Sequence, residues 1–316
     1  MNLFAKGFGP TTVVILILFQ LVSGPLAAER GWQRQVYRGM PGTAAGPLPP
    51  CELEYSLSWN GRIKAGEVTI QIAPDPERTG LIIGEAKGKS TGLARALWRY
   101  DHHFVSTIQA GNLRPLFFQS QEEEKRDRTS TTARFDGAKA TSNKTVVIKK
   151  TGKKKVRDRQ FKFEPMYDLL SGILMLRSLT LAKGDEVSLV LHPFDSPYLG
   201  NFKVLGREKH RTPEGKKPCI KLEVDISKID RKDLSLESYK KFIKGTIWVS
   251  DDAFRMPVEI RSDIFIGDVR VVLKKRRDLK GGAAVKTASE KESAAQRNAR
   301  RVQKRRAPFS RHFRRR

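Results

Sequence analysis

Residues 51–59, CELEYSLSW, decide the fold of this chain because apolar and polar side chains alternate there without interruption. Leu53, Tyr55, Leu57 and Trp59 fall on one side of the alternation, and glutamates and serines fall on the other. Successive side chains of a β-strand point to opposite faces, so this period of two predicts a strand with one face in a core and the other in water.

The same alternation returns repeatedly on the C-terminal side of this stretch. Short connections rich in Gly, Pro and Asp separate the repeats, which is typical of antiparallel sheets. The sequence therefore predicts one strand-dominated domain over residues 51–280. The further predicted strands are 68–72, 81–87, 102–109, 114–122, 129–135, 144–150, 186–193, 199–207, 220–226, 245–250, 258–260 and 267–274.

One segment follows helical rather than strand spacing. Leu169, Ile173 and Leu176 recur at that spacing after Asp168, a residue type that favours helix N-caps. A helix is expected over 168–179, and its wide apolar face needs a concave sheet to cover it. A second helix is expected over Leu234 to Phe242.

The N-terminal segment differs in character from the predicted domain. Residues 1–28 hold one lysine and an apolar run of 12 residues, Thr11 to Val22, which ends near Ala27-Ala28. This pattern predicts a secretory signal peptide that is cleaved after Ala28, since a membrane-spanning helix needs roughly 20 residues. Retention as an anchor is the alternative. Residues 29–50 show no apolar period and are expected to form a flexible lead-in.

Basic residues are concentrated at the C-terminal end of the chain. The whole chain carries a net charge of +27, and residues 281–316 contribute 12 lysines and arginines against two glutamates. With almost no large apolar residue to bury, this segment is expected to be a disordered basic tail. A second basic run lies within the domain, between Lys149 and Arg159.

The predicted export changes the expected partner of this positive charge. Basic runs in a cytoplasmic protein would suggest nucleic acid, because phosphate neutralisation drives its binding. Outside the cytoplasm the abundant polyanions are lipid head groups and envelope polymers, which attract polybasic segments. We therefore expect anionic envelope components or lipid, with peripheral membrane contact at most, and no nucleic acid. A solvated tail without a dedicated partner is the alternative.

Motifs for catalysis or metal binding are missing from the sequence. The adjacent His102 and His103 fall on a predicted strand, where neighbouring side chains diverge and cannot readily hold one ion. Asp251-Asp252 falls where a turn is expected, and aspartate is favoured there for its local backbone hydrogen bonds. The chain has none of the common zinc, calcium, serine-hydrolase or phosphate-loop patterns. We expect no enzyme activity, no metal and no cofactor.

A cluster of large apolar residues provides the candidate ligand site. Its members fit a short helical pad that leads into a strand, and they could form the lip of an apolar pocket. Ordinary core packing is the alternative. The candidates are Leu93, Leu97, Trp98, Tyr100 and Phe104.

Two cysteines, Cys51 and Cys219, complete the candidate residues. An oxidising compartment would allow them to form a disulfide. The alternative leaves Cys219 packed as a small apolar residue and Cys51 free.

Residues 51–277 resemble the bacterial family catalogued as domain of unknown function 3108. The order and spacing of several short motifs carry the resemblance: YSLSW at 55–59, AGE at 65–67, WRYD at 98–101, RP at 114–115, YDLLS at 167–171, LR at 176–177, KGD at 183–185, RTPEG at 211–215, WVSDD at 248–252, RMPV at 255–258 and IGD at 266–268. The resemblance implies an exported, strand-rich protein without an assigned enzymatic activity.

The resemblance also implies an architecture similar to the half-barrel of lipoprotein carriers. The expected fold is mainly β (α+β), with a strongly curved antiparallel sheet or half-barrel wrapped around one central helix. The expected function is that of a non-catalytic protein of the periplasm or cell envelope, binding an apolar or amphipathic, lipid-like ligand. The alternative is a structural or interaction module that docks on an envelope protein or an anionic polymer.

Overall fold

The computed structural model describes residues 31–238, 244–264 and 267–279. The predicted signal peptide and basic tail lie outside these residues. Helix α1, Gly31–Gln35, belongs to a separate compact unit that ends at Gln35. The second unit contains two helices, α2 (Gly92–Leu97) and α3 (Leu169–Ser178), and all of the strands. None of the helices in the described ranges has the length and apolar character needed to cross a membrane.

The strands form one antiparallel sheet. Their spatial order is β8-β7-β6-β5-β4-β3-β2-β1-β15-β14-β13-β11-β10-β9, with β12 paired to β11, so β8 and β9 lie at the two ends of an open path. The strands are β1 Cys51–Trp59, β2 Ile63–Pro74, β3 Leu81–Ser90, β4 Tyr100–Gln109, β5 Pro115–Glu124, β6 Asp127–Asp136, β7 Lys139–Ile148, β8 Lys154–Lys162, β9 Glu186–Leu191, β10 Tyr198–Thr212, β11 Gly215–Ile229, β12 Leu236–Ser238, β13 Lys244–Ser250, β14 Pro257–Ile264 and β15 Gly267–Asp278.

Each predicted strand overlaps one of these strands, which confirms a mainly β fold with an antiparallel sheet. The opening stretch begins β1 at Cys51, as predicted, and Cys51, Leu53 and Tyr55 are buried on one face. Strand β8, KKVRDRQFK, was not predicted. It lies at an end of the sheet and is mostly exposed, so charged residues replace the alternation by which half-buried strands are recognised.

Helix α3 begins and is capped as the sequence predicts. The Asp168 carboxylate accepts a hydrogen bond from the Ser171 backbone N–H at 2.8 Å, and the Ser171 hydroxyl accepts one from the Asp168 N–H at 2.8 Å. This reciprocal pair satisfies N–H groups that have no partner within the helix. The buried Asp168 carboxylate also accepts a hydrogen bond from the Ser106 hydroxyl of β4.

The main core cluster contains residues of α3 and of strands β9, β10, β11 and β13. Met175 and Leu176 of the helix are buried with Leu189, Ile220 and Leu222 of the sheet. Burial of such side chains contributes about 1.5–3 kcal/mol each, so the position of α3 is fixed by packing as well as by its cap.

The second predicted helix is wrong where the structure describes it. Leu236–Ser238 forms β12 and pairs with β11, while residues 239–243 lie outside the described part of the chain. The Asp230 side chain accepts hydrogen bonds from the backbone N–H groups of Lys232 and Asp233 at 2.7 and 3.3 Å. This turn directs the chain back along β11, where strand hydrogen bonds replace those of a helix.

The predicted flexible lead-in is also corrected from Val36 onward. Val36 is buried and forms a parallel bridge with Ser188 of β9. The Ala44 N–H donates to the Ser178 carbonyl at 3.1 Å, and the Gly46 N–H donates to the Ala253 carbonyl at 2.9 Å. An end strand has unpaired backbone groups, and residues 36 and 37 satisfy some of those of β9.

Candidate functional site

A cavity of about 460 Å³ lies between α2 and the ends of the strands next to it. Its volume falls within the roughly 300–1,000 Å³ typical of small-molecule sites. The walls come from β1, β2, β3, β4, β15 and α2, and six of the apolar side chains that form them are Leu57, Trp59, Ile63, Val68, Leu93 and Leu97. Contact with an apolar ligand is therefore more favourable for these walls than contact with water.

Local hydrogen bonds hold α2 at the edge of this cavity. The Thr91 N–H, just before the helix, donates to the Ala65 carbonyl of β2 at 3.0 Å. The Arg95 guanidinium donates to both carboxylate oxygens of Asp101, at 2.6 and 3.0 Å, and to the Ser90 carbonyl at 3.2 Å. These contacts join both ends of the short helix to the sheet.

Alternate residues of the segment 98–104 form a row of neighbouring rings, of which the pairs Trp98–Tyr100 and His102–Phe104 are stacked. The ring centroids are 5.2 Å apart for Trp98 and Tyr100, 5.5 Å for Tyr100 and His102, and 5.9 Å for His102 and Phe104. Side chains two positions apart in a strand share a face, which explains the row.

The five predicted ligand residues are not equivalent in the structure. Leu93, Leu97, Trp98 and Tyr100 line the cavity, whereas Phe104 does not. Phe104 is buried beyond His102, where its ring contacts Phe118 at a centroid distance of 5.6 Å. For Phe104 the alternative of ordinary core packing is therefore the correct one.

His102 also lines the cavity. The sequence pattern argues against a role for it as a metal ligand and does not indicate it as a cavity residue. Burial, followed by the neighbouring His103, lowers the pKa of His102, so its imidazole is neutral near pH 7. His103 contacts Glu85 instead, with Nε2 and Oε1 2.6 Å apart. The described residues include no cluster of three or more His, Cys, Asp or Glu side chains that could hold a metal ion.

A charged pair lies at one side of the otherwise apolar cavity. Glu67 Oε1 is 2.9 Å from Lys89 Nζ, and Glu67 Oε2 is 3.6 Å from Lys64 Nζ. The hydrogen bond from Lys89 lowers the pKa of Glu67, so its carboxylate stays ionised. The site thus combines apolar walls with a charged rim.

The mouth of the cavity exposes large apolar side chains to solvent. Leu97 is 80% exposed, Leu93 73%, Trp98 58% and Ile63 42%. These four side chains are named the mouth cluster below.

The sequence indicated the α2 side of the cavity but missed the opposite wall. Leu57 and Trp59 belong to the opening stretch, and Val269 is the register partner of Trp59 on β15. A signal was present, since Leu57 and Trp59 share the apolar face of a predicted strand. The contribution of Val269 depends on pairing between residues more than 200 positions apart.

A second cavity of about 280 Å³ lies between α3 and strands β9–β14. Apolar residues such as Ile173, Phe202 and Ile247 line it, together with arginines. The Arg177 guanidinium donates to the Phe254 carbonyl at 3.0 Å, and Arg255 donates to the carbonyl oxygens of Leu179 and Thr180. Backbone carbonyls thus already occupy these donors, and we regard the larger cavity as the candidate site.

The two cysteines are free buried thiols, so the possible disulfide is not formed in this structure. Cys51 lies in β1 and Cys219 in β11, with β15, β14 and β13 between them in the sheet. Four strand spacings correspond to about 19 Å along the sheet, whereas the Cα atoms of a disulfide lie within about 7 Å. Burial raises the pKa of each thiol to about 11.

The other polar motifs have structural roles. As predicted, Asp252 lies in a turn, where its carboxylate accepts hydrogen bonds from the backbone N–H groups of Phe254 and Arg255 at 2.9 and 3.0 Å. In the basic run, Arg159 Nη1 lies 3.0 Å from Asp195 Oδ2 and Lys149 Nζ lies 2.9 Å from Glu123 Oε1. Part of this run is therefore neutralised within the domain.

Comparison with known proteins gives a family and a set of distant structural neighbours. The family described as protein of unknown function (DUF3108) matches residues 54–274. No curated protein matches the chain.

Two solved structures illustrate the structural likeness. One is a beta-barrel-like protein of domain of unknown function DUF1849 from Brucella abortus, with 11% identity and a TM-score of 0.48, covering 74% of this chain and 99% of that one. The other is the hypothetical lipoprotein YmcC from Escherichia coli, with 11% identity and a TM-score of 0.28, covering 87% of this chain and 100% of that one.

Proposed function

We propose that this chain, which belongs to the family described as protein of unknown function (DUF3108), is a non-catalytic protein of the cell envelope. In this proposal it binds an apolar or amphipathic, lipid-like molecule. The observation that carries the proposal is the cavity of about 460 Å³ with apolar walls beside α2. Water in such a space finds few hydrogen-bond partners, and an apolar ligand that replaces it gains the free energy of burial.

The geometry of the mouth indicates where a ligand would lie. Leu93 and Leu97 line the cavity and are largely exposed. Full burial of these side chains by a ligand would contribute about 1.5–3 kcal/mol of binding free energy for each side chain. The polar end of an amphipathic ligand would lie beside Lys89 and Glu67, where it remains in contact with water.

Export to the envelope rests on the sequence. The predicted signal peptide at 1–28 supports it, and in that location the net charge of +27 would attract anionic envelope components. The periplasm or cell envelope is accordingly the proposed location.

We also infer that the sheet curves strongly around α3. Leu170 of the helix is next to Gly84 of β3, Asp168 contacts Ser106 of β4, and Gly172 is next to Leu191 of β9. Strands β4 and β9 are nine positions apart in the sheet order, or about 43 Å if the sheet were flat. A helix of 10 residues is only about 15 Å long, so contact with both strands supports a half-barrel.

The proposed ligand site is tested by filling the cavity. Ala94 lines the cavity on α2, whereas Ala96 is exposed on the same helix and does not line it. We expect Ala94→Trp to weaken uptake of a fluorescent fatty acid by roughly tenfold or more, because the added ring occupies the ligand volume. Ala96→Trp adds the same side chain outside the cavity and should leave uptake within about twofold of the unaltered protein.

Native mass spectrometry of the full chain supplies an independent measurement. A lipid-sized mass retained by the unaltered protein and lost in Ala94→Trp supports the proposal. A ligand-free mass together with no probe uptake contradicts it, as does equal uptake by the two tryptophan variants.

An interaction module is the second candidate, and strand β8 favours it. This end strand exposes Lys154, Lys155 and Val156, and no other strand of the described residues pairs with its outer edge. Charge reversal by Lys154→Glu with Lys155→Glu should then abolish capture of an anionic envelope polymer. Capture that survives this change but is lost on deletion of residues 281–316 would assign the interaction to the tail instead.

A further inference from the structure

The mouth cluster concentrates exposed apolar surface at one place on the domain. Eight large apolar side chains are exposed among the described residues, and four of them, Ile63, Leu93, Leu97 and Trp98, line this one cavity. The other four, Met40, Val156, Leu205 and Leu236, do not line it. Single exposed apolar residues are ordinary, whereas a contiguous group indicates an interaction surface.

The two segments that carry the mouth cluster are basic, although β5 brings Glu122, Glu123 and Glu124 opposite residues 100–102. Residues 60–67 and 89–101 contain five basic side chains, Arg62, Lys64, Lys89, Arg95 and Arg99, against two acidic ones, Glu67 and Asp101, which gives a net charge of +3. Asp101 is bound by Arg95, and Glu67 by Lys89. The exposed Arg62 and Lys64 flank Ile63 in sequence, so positive charge borders the apolar surface directly.

We propose that the mouth cluster docks on an anionic lipid bilayer. Leucine and tryptophan side chains insert at the boundary between head groups and acyl chains, and nearby Lys and Arg side chains contact anionic head groups. Trp98 suits this boundary because an indole ring combines apolar area with a polar N–H. The combination of an apolar cluster and a basic border is complementary to this surface, whereas a neutral protein partner would gain nothing from the charge.

This inference rests on the proposed function and adds the source of the ligand. With the mouth against the bilayer, a lipid chain passes between membrane and cavity without crossing water. The transfer avoids the free-energy cost of exposing the acyl chain to water, and this cost rises with each methylene group.

Site-specific labels on the full chain test the docking. Leu97→Cys places a thiol in the mouth cluster, and Met40→Cys provides a control at a side chain that is 65% exposed and does not line the cavity. Cys51 and Cys219 are fully buried and should not react with the dye under native conditions. Each variant carries an environment-sensitive dye and is mixed with vesicles of equal parts phosphatidylglycerol and phosphatidylcholine.

We expect the label at position 97 to shift its emission to the blue and to be quenched by a lipid-attached quencher, while the label at position 40 stays in water. In sedimentation with the same vesicles, Leu93→Ser with Leu97→Ser should reduce the bound fraction roughly threefold at high salt, where attraction by the tail is screened, and Met40→Ser should not. Binding without insertion at position 97 would overturn the inference, as would equal insertion at both positions or no binding at all.

The outcome is separable from that of the proposed function. Ligand uptake by Ala94→Trp and Ala96→Trp is measured without vesicles. A protein that takes up ligand but leaves position 97 in water refutes the docking alone. Insertion at position 97 by a protein without a ligand refutes the proposed ligand alone.

Discussion

His102 lies directly over Gly88 on the neighbouring strand, so closely that a Cβ atom on Gly88 would be 2.2 Å from Cε1 of the imidazole. The two residues are register partners in β3 and β4. The absence of a side chain at position 88 therefore leaves room for the His102 ring between the rings of Tyr100 and Phe104. His102 is the last ring of the row that lines the cavity.

Gly88→Ala should consequently disturb both stability and the site. The new methyl group must displace the His102 ring, and such overpacking costs about 1–3 kcal/mol. Gly111→Ala is the matched control, because a Cβ atom there meets nothing within 4 Å and no unusual backbone angle is required. Denaturant unfolding measures the first effect and fatty-acid uptake the second. Equal stability of the two alanine variants would show that the ring moves without cost.

Asp168→Ala should be among the more destabilising single changes in the domain. It removes the cap of α3, worth about 0.5–2 kcal/mol, and it leaves the buried Ser106 hydroxyl without an acceptor, which costs about 1–3 kcal/mol. Burial raises the pKa of Asp168, so the neutral Asp168→Asn should be tolerated better than Asp168→Ala. Asp136→Ala, at an exposed strand end, is the control and should lie within about 0.5 kcal/mol of the unaltered protein.

The strands and α3 could be predicted because their signals are local. Alternation marks β1 within nine residues, and Asp168 with the leucines after it marks the start of α3. Strand β8 lacked such a signal because both of its faces are largely solvated. The docking of Val36 and Tyr37 on β9 also lacked one, since it depends on a strand that is distant in sequence.

The site could be predicted only on the side where its residues are close in sequence. Leu93, Leu97, Trp98 and Tyr100 lie within eight positions of one another, and all four line the cavity. His102, which lies over Gly88, is the last ring of the row that lines the cavity, and no local sequence signal marks this limit. The predicted ligand site therefore includes Phe104, although its ring lies next to that of His102 on the side away from the cavity.

Glu85 should make the stability of the domain sensitive to acid. Burial acts to raise its pKa, but hydrogen bonds from His103 and Lys87 outweigh that effect and lower the pKa to about 2. A carboxyl group with a lowered pKa binds fewer protons in the folded than in the unfolded state, so its stabilisation is complete well above pH 4.5 and is lost as the pH falls toward 2. The shift corresponds to a contribution on the order of 3 kcal/mol at pH 7.

Glu85→Gln removes this contribution at every pH. The difference in unfolding free energy between the unaltered protein and Glu85→Gln should therefore shrink from pH 7 to pH 3, to roughly half its size. Glu214→Gln, at an exposed turn, should show no comparable difference. A difference for Glu85→Gln that stays constant from pH 7 to pH 3 would contradict the assignment of the ion pairs to this carboxylate.

Cys51 and Cys219 should behave as two unreactive thiols in the folded protein. Both side chains are fully buried, and burial raises their pKa to about 11, so the reactive thiolate is scarce at pH 8. Under native conditions, neither thiol should react rapidly with Ellman's reagent. After unfolding without reductant, the reagent should detect two thiols per chain. Because four strand spacings separate the two cysteines, protein recovered from an oxidising compartment should give the same result. Unfolded protein without free thiols, which regains two on reduction, would instead require β1 and β11 to be much closer than this sheet order allows.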